Sequence, residues 1–196
     1  MVILPTTYFG PVSYYAAMYG SDEVVIEACE HYVKQTLRSR CVIATDQGPM
    51  TLSAYVEKGN RLKMPIREVR LSDHNDWPRQ HLNALATYYG NSPFYEYYID
   101  DLREVLLHGH DGTLFGMNEA LRQHLCREIG FEPKVRYSEE WMGPLPDFSC
   151  AVPRYYQVAG ALGQQPFMPD MSVLDLVFNM GPESLTILEK IVRGKG

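Results

Sequence analysis

The chain has 196 residues, 45% of them apolar and 21% charged, with a net charge of −6. These values exclude wholesale disorder and coiled coil, and a chain of this length builds a core without a disulfide or metal staple. Tyrosine is conspicuous at 14 residues, eight of them in Tyr-Tyr pairs at 14–15, 88–89, 97–98 and 155–156.

Val2 to Tyr8 reads as a buried first strand ending at Gly10-Pro11, and Pro11 suits the first turn of a helix through about Met18, with Gly20 as its stop. The first charge is Asp22, yet Pro5, Gly10 and Pro11 break the opening run, so neither a leader nor a membrane span is read there. Glu23 to Cys29 carries a Val-Val-Ile run and reads as a second strand. A short basic segment, 30–39, follows; if helical, it would set Lys34 and Arg38 on one face. Arg40–Ala44 and Met50–Glu57 flank Asp46-Gln47-Gly48-Pro49 as a hairpin, and Ile66–Leu71 alternates as a further strand.

Helices then take over. Asp76 is placed to cap a helix ending at Tyr89, Pro93 starts another through about Leu107, and Asn118–Ile129 forms a third, stopped by Gly130. Residues 131–170 hold six of the 13 prolines and read as an irregular segment wrapping the surface. Ser172 caps a last helical region interrupted at Gly181-Pro182. The expected fold is α/β (or α+β), one domain over 1–196, with a mixed sheet in a strand-rich N-terminal half and helices in the C-terminal half.

Residues 31–70 set eight cations against three carboxylates, a local +5 that leaves −11 elsewhere. Such a stretch marks a local anion site, while the acidic remainder argues against nucleic acid. Lys34, Arg38 and Arg40 are the expected anion grips. They would act beside the N-terminus of the first helix, whose free N–H groups face an anion at the carboxyl end of the first strand. Tyr8, Tyr14 and Trp77 are read as pocket walls. His81, one turn beyond Trp77, and Asp175, one turn before Asn179, are the candidate catalytic proton acceptors. Asp175 and Asn179 on so apolar a helix need partners if buried: either a ligand or the wrapped 131–170 segment. His108-Gly109-His110-Asp111 reads as an exposed loop. The four cysteines have no CxxC spacing and read as reduced thiols, neither a metal site nor a redox pair, in a cytoplasmic protein. GxSxG, Walker A and GxGxxG are all missing, so the residues alone name no reaction.

Several blocks taken together carry a resemblance: Leu4-Pro5-Thr6-Thr7-Tyr8-Phe9-Gly10-Pro11-Val12-Ser13-Tyr14-Tyr15, the basic stretch from Glu30 to Cys41, Trp77 with His81, Pro93 to Tyr98, Tyr155 to Val158, and Phe167 to Ser184. The chain resembles the WbqC-like family in its short, Bacteroidetes-type form. Leu37 and Ser39 stand where that family usually shows Tyr and Asn, and the Ser-Gly-rich loop of its longer members is missing from 131–170. The resemblance implies a group (acyl or aminoacyl) transferase acting on a sugar or similar anionic metabolite in surface-polysaccharide biosynthesis. The alternative is a non-enzymatic binding or scaffold protein whose signature residues hold the fold. The expected partner is a small anionic or sugar ligand, without nucleic acid or membrane insertion; the cofactor and oligomeric state stay open.

Overall fold

A computed structural model describes residues 1–57, 63–161 and 165–194 of the chain. Two runs of β-branched and aliphatic residues form its centre. Strand β1 (Val2–Pro5) pairs in parallel with β2 (Val24–Glu27), with Pro5 opposite Glu27. Helix α1 (Val12–Tyr19) connects them, and most of its residues are buried, as befits a sequence with no charge on any face. Hairpin strands β3 (Arg40–Thr45) and β4 (Gly48–Ser53) turn tightly at Asp46-Gln47, with Gly48 at φ +105°. Pro49 falls inside β4, where a two-stranded ladder tolerates a residue with no N–H.

Helices α2 (Trp77–Tyr89), α3 (Tyr95–His108) and α4 (Leu114–Ile129) follow. Within the wrapped segment lie strand β5 (Val135–Tyr137), which pairs in parallel with β2, and the short helix α5 (Val158–Ala161). Helices α6 (Val173–Met180) and α7 (Ser184–Arg193) close the chain, and α7 packs on α1. One connected core runs from Leu4 to Ile191. The fold is α/β, with strands mostly early and helices late. Its parallel and antiparallel pairings occupy separate sheets, β1-β2-β5 and β3-β4.

The sequence reading departs from the structure at several points. Ile66–Leu71 is not a strand: Pro65 offers no N–H, Ile66 and Val69 are buried three residues apart, and Ile66–Glu68 winds into a 3₁₀ turn. Only isolated bridges, Val56 with Leu71 and Arg70 with Thr113, remain of the expected ladder. Asp76 has φ +47° and makes no capping bond, so the 3₁₀ turn His74–Asp76 leads into α2 instead. Helix α4 begins four residues before Asn118, where the Thr113 hydroxyl accepts the Gly116 N–H at 2.9 Å. Segment 31–39 is a series of turns, not a helix, with Gln35 at φ +63°. Donors from elsewhere hold it: the Tyr8 N–H reaches the Leu37 carbonyl and the Asn118 amide reaches the Arg38 carbonyl. Strand β5 went unseen because its three residues follow Pro133 with no alternation long enough to register.

The break between α6 and α7 is sterically fixed. Gly181 sits at φ +51°, and a Cβ there would lie 2.5 Å from the Phe94 ring. Gly181→Ala is therefore expected to lower stability by about 2–4 kcal/mol, through left-handed strain and overpacking together, read as a drop in the urea unfolding midpoint.

Candidate functional site

Trp77 lines a cleft of about 370 Å³ with Leu71, Ser72 and His110, and a second cleft, of about 530 Å³, lies at the carboxyl end of β1 and holds Arg38 and Arg40. Pro5 and Gln35 to Arg38 contribute to its lining, and Arg40, Val42 and Thr51 present one face of the hairpin. Leu145 and Phe148, from the wrapped segment, complete the wall. This is the location where ligands meet open α/β sheets.

Two of its cations behave differently. Arg38 grips Glu30 through both Nε and Nη2, with Nε to Oε1 at 2.7 Å, so its charge is largely answered within the protein. Arg40, half-buried at the start of β3, has no carboxylate within ion-pair distance among the described residues. Lys34 is exposed on the neighbouring turn and does not line the cleft. The rest of the basic stretch disperses. Arg67 stacks over the Phe115 and Tyr137 rings at 5.2 and 5.5 Å, and Lys58 and Arg61 lie outside the described residues.

The expected anion cradle at the start of α1 is already filled. Both oxygens of Asp170 bind Ser13, one at its N–H and one at its hydroxyl, each at 2.8 Å, and the Val12 N–H goes to the Met171 carbonyl. An internal carboxylate thus occupies the position an anionic ligand was expected to take.

Tyr8, Trp77 and His81 form a closed aromatic knot. The Tyr8 hydroxyl lies 2.8 Å from Nδ1 of His81, the Trp77 ring meets both, and its Nε1 donates to the Ser72 carbonyl at 2.8 Å. Burial lowers the His81 pKa to about 4, so its imidazole is neutral at neutral pH. Tyr14 is buried one layer behind the cleft. Its hydroxyl donates to the Pro5 carbonyl, and its ring meets the edge of Phe148 at 5.6 Å.

Asp175 and Asn179 belong to a third group. Asp175 is 0% exposed and its carboxylate accepts from the hydroxyls of Tyr89 and Tyr155 at 3.1 and 2.6 Å and from the Gln157 amide at 2.7 Å. The Asn179 amide adds a longer contact at 3.3 Å, while its carbonyl oxygen takes Ser92 Oγ and the Val158 N–H. Burial pushes the Asp175 pKa up to about 6, against the downward pull of these donors. Of the two partners the sequence left open, the wrapped segment is the one that Asp175 and Asn179 bind.

The sequence reading thus scatters over three places: Arg38 and Arg40 line the cleft, with Lys34 beside it and Tyr14 behind; Tyr8, Trp77 and His81 form one knot; Asp175 and Asn179 another. Neither His81 nor Asp175 lines the cleft. Leu145, Phe148 and the buried Glu27 were missed. The available signal for Glu27 was a lone carboxylate closing an otherwise aliphatic parallel strand.

The sequence profile of the WbqC-like protein family matches residues 6–148, which takes in the cleft's lining from Gln35 to Phe148 and stops short of Asp175. The chain belongs to that family. It is 26% identical over 141 residues to the uncharacterised protein Rv1507c of Mycobacterium tuberculosis, a span covering 72% of this chain and 61% of that protein. No solved structure matches the chain.

Two stability predictions follow from the knots. Because the folded His81 pKa lies below the unfolded value, the unfolded chain binds the extra proton, and stability falls as pH drops from about 6.5 toward 4, by about 3 kcal/mol from this group. Asp175, raised instead, acts in the opposite sense over the same range. The measurement is therefore a difference: between pH 7.5 and 4, His81→Asn should lose about 3 kcal/mol less than the native chain in urea titrations. Asp175→Asn turns an amide toward the Tyr155 and Gln157 donors and should cost about 2–4 kcal/mol at pH 7, read as a lower thermal midpoint.

Proposed function

We propose that this WbqC-like protein, as one folding unit over 1–196, binds a small phosphate- or carboxylate-bearing metabolite, such as a sugar phosphate or an acyl compound, in the β1 cleft. Arg40 carries the reading: it is a cation in a concave site, without a carboxylate partner, between the apolar Val42, Leu145 and Phe148. Guanidinium groups grip phosphate and carboxylate through paired N–H donors, and a half-buried one does so with little screening. Lys34 at the rim adds attraction without geometric demand. Among the described residues no helix is long and apolar enough to cross a membrane, and we place the protein in the cytoplasm, acting on a metabolite and not on nucleic acid.

The activity we attach to this site is group transfer, of an acyl or aminoacyl unit onto a sugar in surface-polysaccharide biosynthesis. Its support is the family resemblance together with a cleft suited to a phosphate-bearing substrate. A second reading, a non-enzymatic binding protein, has a specific observation behind it: both candidate proton acceptors, His81 and Asp175, are engaged by internal partners away from the cleft.

Calorimetric titration with inorganic phosphate and glucose 1-phosphate tests the site. Arg40→Met should weaken both by about tenfold or more, Lys34→Met by less, and added salt should weaken native binding. No binding, or undiminished binding to Arg40→Met, removes the reading. Mass spectrometry of the native protein with acyl-CoA and a nucleotide-linked amino sugar separates the two roles: an acylated sugar supports transfer, whereas phosphate binding without product leaves the binding protein.

A further inference from the structure

Glu27 ends β2 directly opposite Pro5, one of the residues that line the cleft. It is 0% exposed, and its whole hydrogen-bonding capacity is directed at two loops. Oε1 accepts from the Ser138 hydroxyl at 2.6 Å and the Cys29 N–H at 2.8 Å, while Oε2 accepts from the Met142 N–H at 2.8 Å. Ser138 is itself doubly fixed, since its N–H reaches the Ile26 carbonyl and its Oγ accepts from the Ala28 N–H. One end of segment 138–148 is therefore clamped to the sheet by a buried carboxylate.

The other end is different in kind. Beyond Met142 the chain passes Gly143, at φ +95° with open space where a Cβ would stand, and then Pro144 and Pro146. From 143 to 148 no hydrogen bond ties the segment to another part of the protein among the described residues. Its contacts are apolar: Leu145 and Phe148 face the cleft, and Phe148 meets the Tyr14 ring. Next to the clamp, Trp141 stands 64% exposed. A carboxylate in this position spends its desolvation cost on holding a loop, because no charged side chain answers it.

We infer that 138–148 is a strap that closes the anion cleft, with Glu27 as its positioning residue, Gly143 as its pivot and Leu145 and Phe148 as the wall that selects ligands with an apolar body. The inference rests on the cleft being the ligand site proposed above and adds what determines its specificity. Arg40 would hold the anion, and the strap would recognise the remainder. Substrates such as acyl or aryl phosphates and carboxylates gain from strap closure; a bare anion does not.

Two probes separate these contributions: inorganic phosphate, which engages the cations alone, and phenyl phosphate, which adds an apolar ring. In hydrogen exchange, phenyl phosphate should slow the amides of 143, 145, 147 and 148, and inorganic phosphate at saturation should not. Glu27→Gln, which turns an amide toward one of its donors, should weaken phenyl phosphate about tenfold while leaving inorganic phosphate within about twofold. Leu145→Ala, on a half-exposed position that does not threaten folding, should show the same split and decides the matter if Glu27→Gln fails to fold. If both probes bind and the variants weaken them equally or not at all, or if bound phenyl phosphate protects none of the strap amides, the strap is overturned and the anion site stands. If the native protein binds neither probe, the anion site falls and the strap falls with it.

Discussion

A charge buried without answering donors costs several kcal/mol, and Asp175 is the place where the fold meets that constraint most completely. Its carboxylate sits on the inner face of α6, and its donors come from three elements: Tyr89 from the end of α2, Tyr155 and Gln157 from the wrapped segment, and Asn179 from one turn further along α6 itself. Tyr89 also accepts the Ala44 N–H, so the same knot reaches the hairpin that carries Arg40. Gln157 extends it to Met168 through two further bonds. A single ionised group thereby sets the course of the proline-rich segment and the seat of the hairpin, two of the elements around the cleft.

The same device recurs at smaller scale. Asp170 closes the start of α1, Glu27 clamps the segment after β5, Glu30 holds Arg38, and Glu119 gathers Arg122, Thr6 and Tyr137. Five of the 24 acidic residues are thus internal ties. Tyrosine answers two of the five, Asp175 and Glu119, filling apolar space with its ring and offering one hydroxyl donor at the tip. Three of the 14 tyrosines, Tyr89, Tyr137 and Tyr155, take part in these ties. Arg40 stands out beside them as a half-buried cation with no ion-pair partner among the described residues.

How much of this was legible depended on the range of the interaction responsible. Strand–helix–strand order from Val2 to Glu27, the hairpin about Asp46-Gln47, the Gly130 stop and the Ser172 cap with its break at Gly181 all follow from local patterning and backbone chemistry. Segment 31–39 and Ile66–Leu71 misled because their conformation is fixed by hydrogen-bond partners distant in sequence: the Tyr8 and Asn118 donors for the first, the Gly112 carbonyl and the Leu114 N–H for the second. Among the site residues, Arg40 was readable from its place at the start of a strand in a basic stretch. Tyr8 and His81 were readable as a pair of interest, but whether they face a ligand or each other is a matter of packing.

By itself the sequence determined an α/β chain with its strands early and its helices late, membership of a recognisable family, and a basic segment next to the first strand. Those properties depend on hydrophobic period, turn residues and composition, which are local. Only the tertiary structure decided that Asp170 fills the helix terminus meant for an anion, that Asp175 is answered by Tyr89, Tyr155 and Gln157, and that Arg40 has no carboxylate partner among the described residues in a cleft walled by Leu145 and Phe148. Each of those outcomes is set by which buried charges find partners across long stretches of chain, and that pairing exists only once the chain has folded.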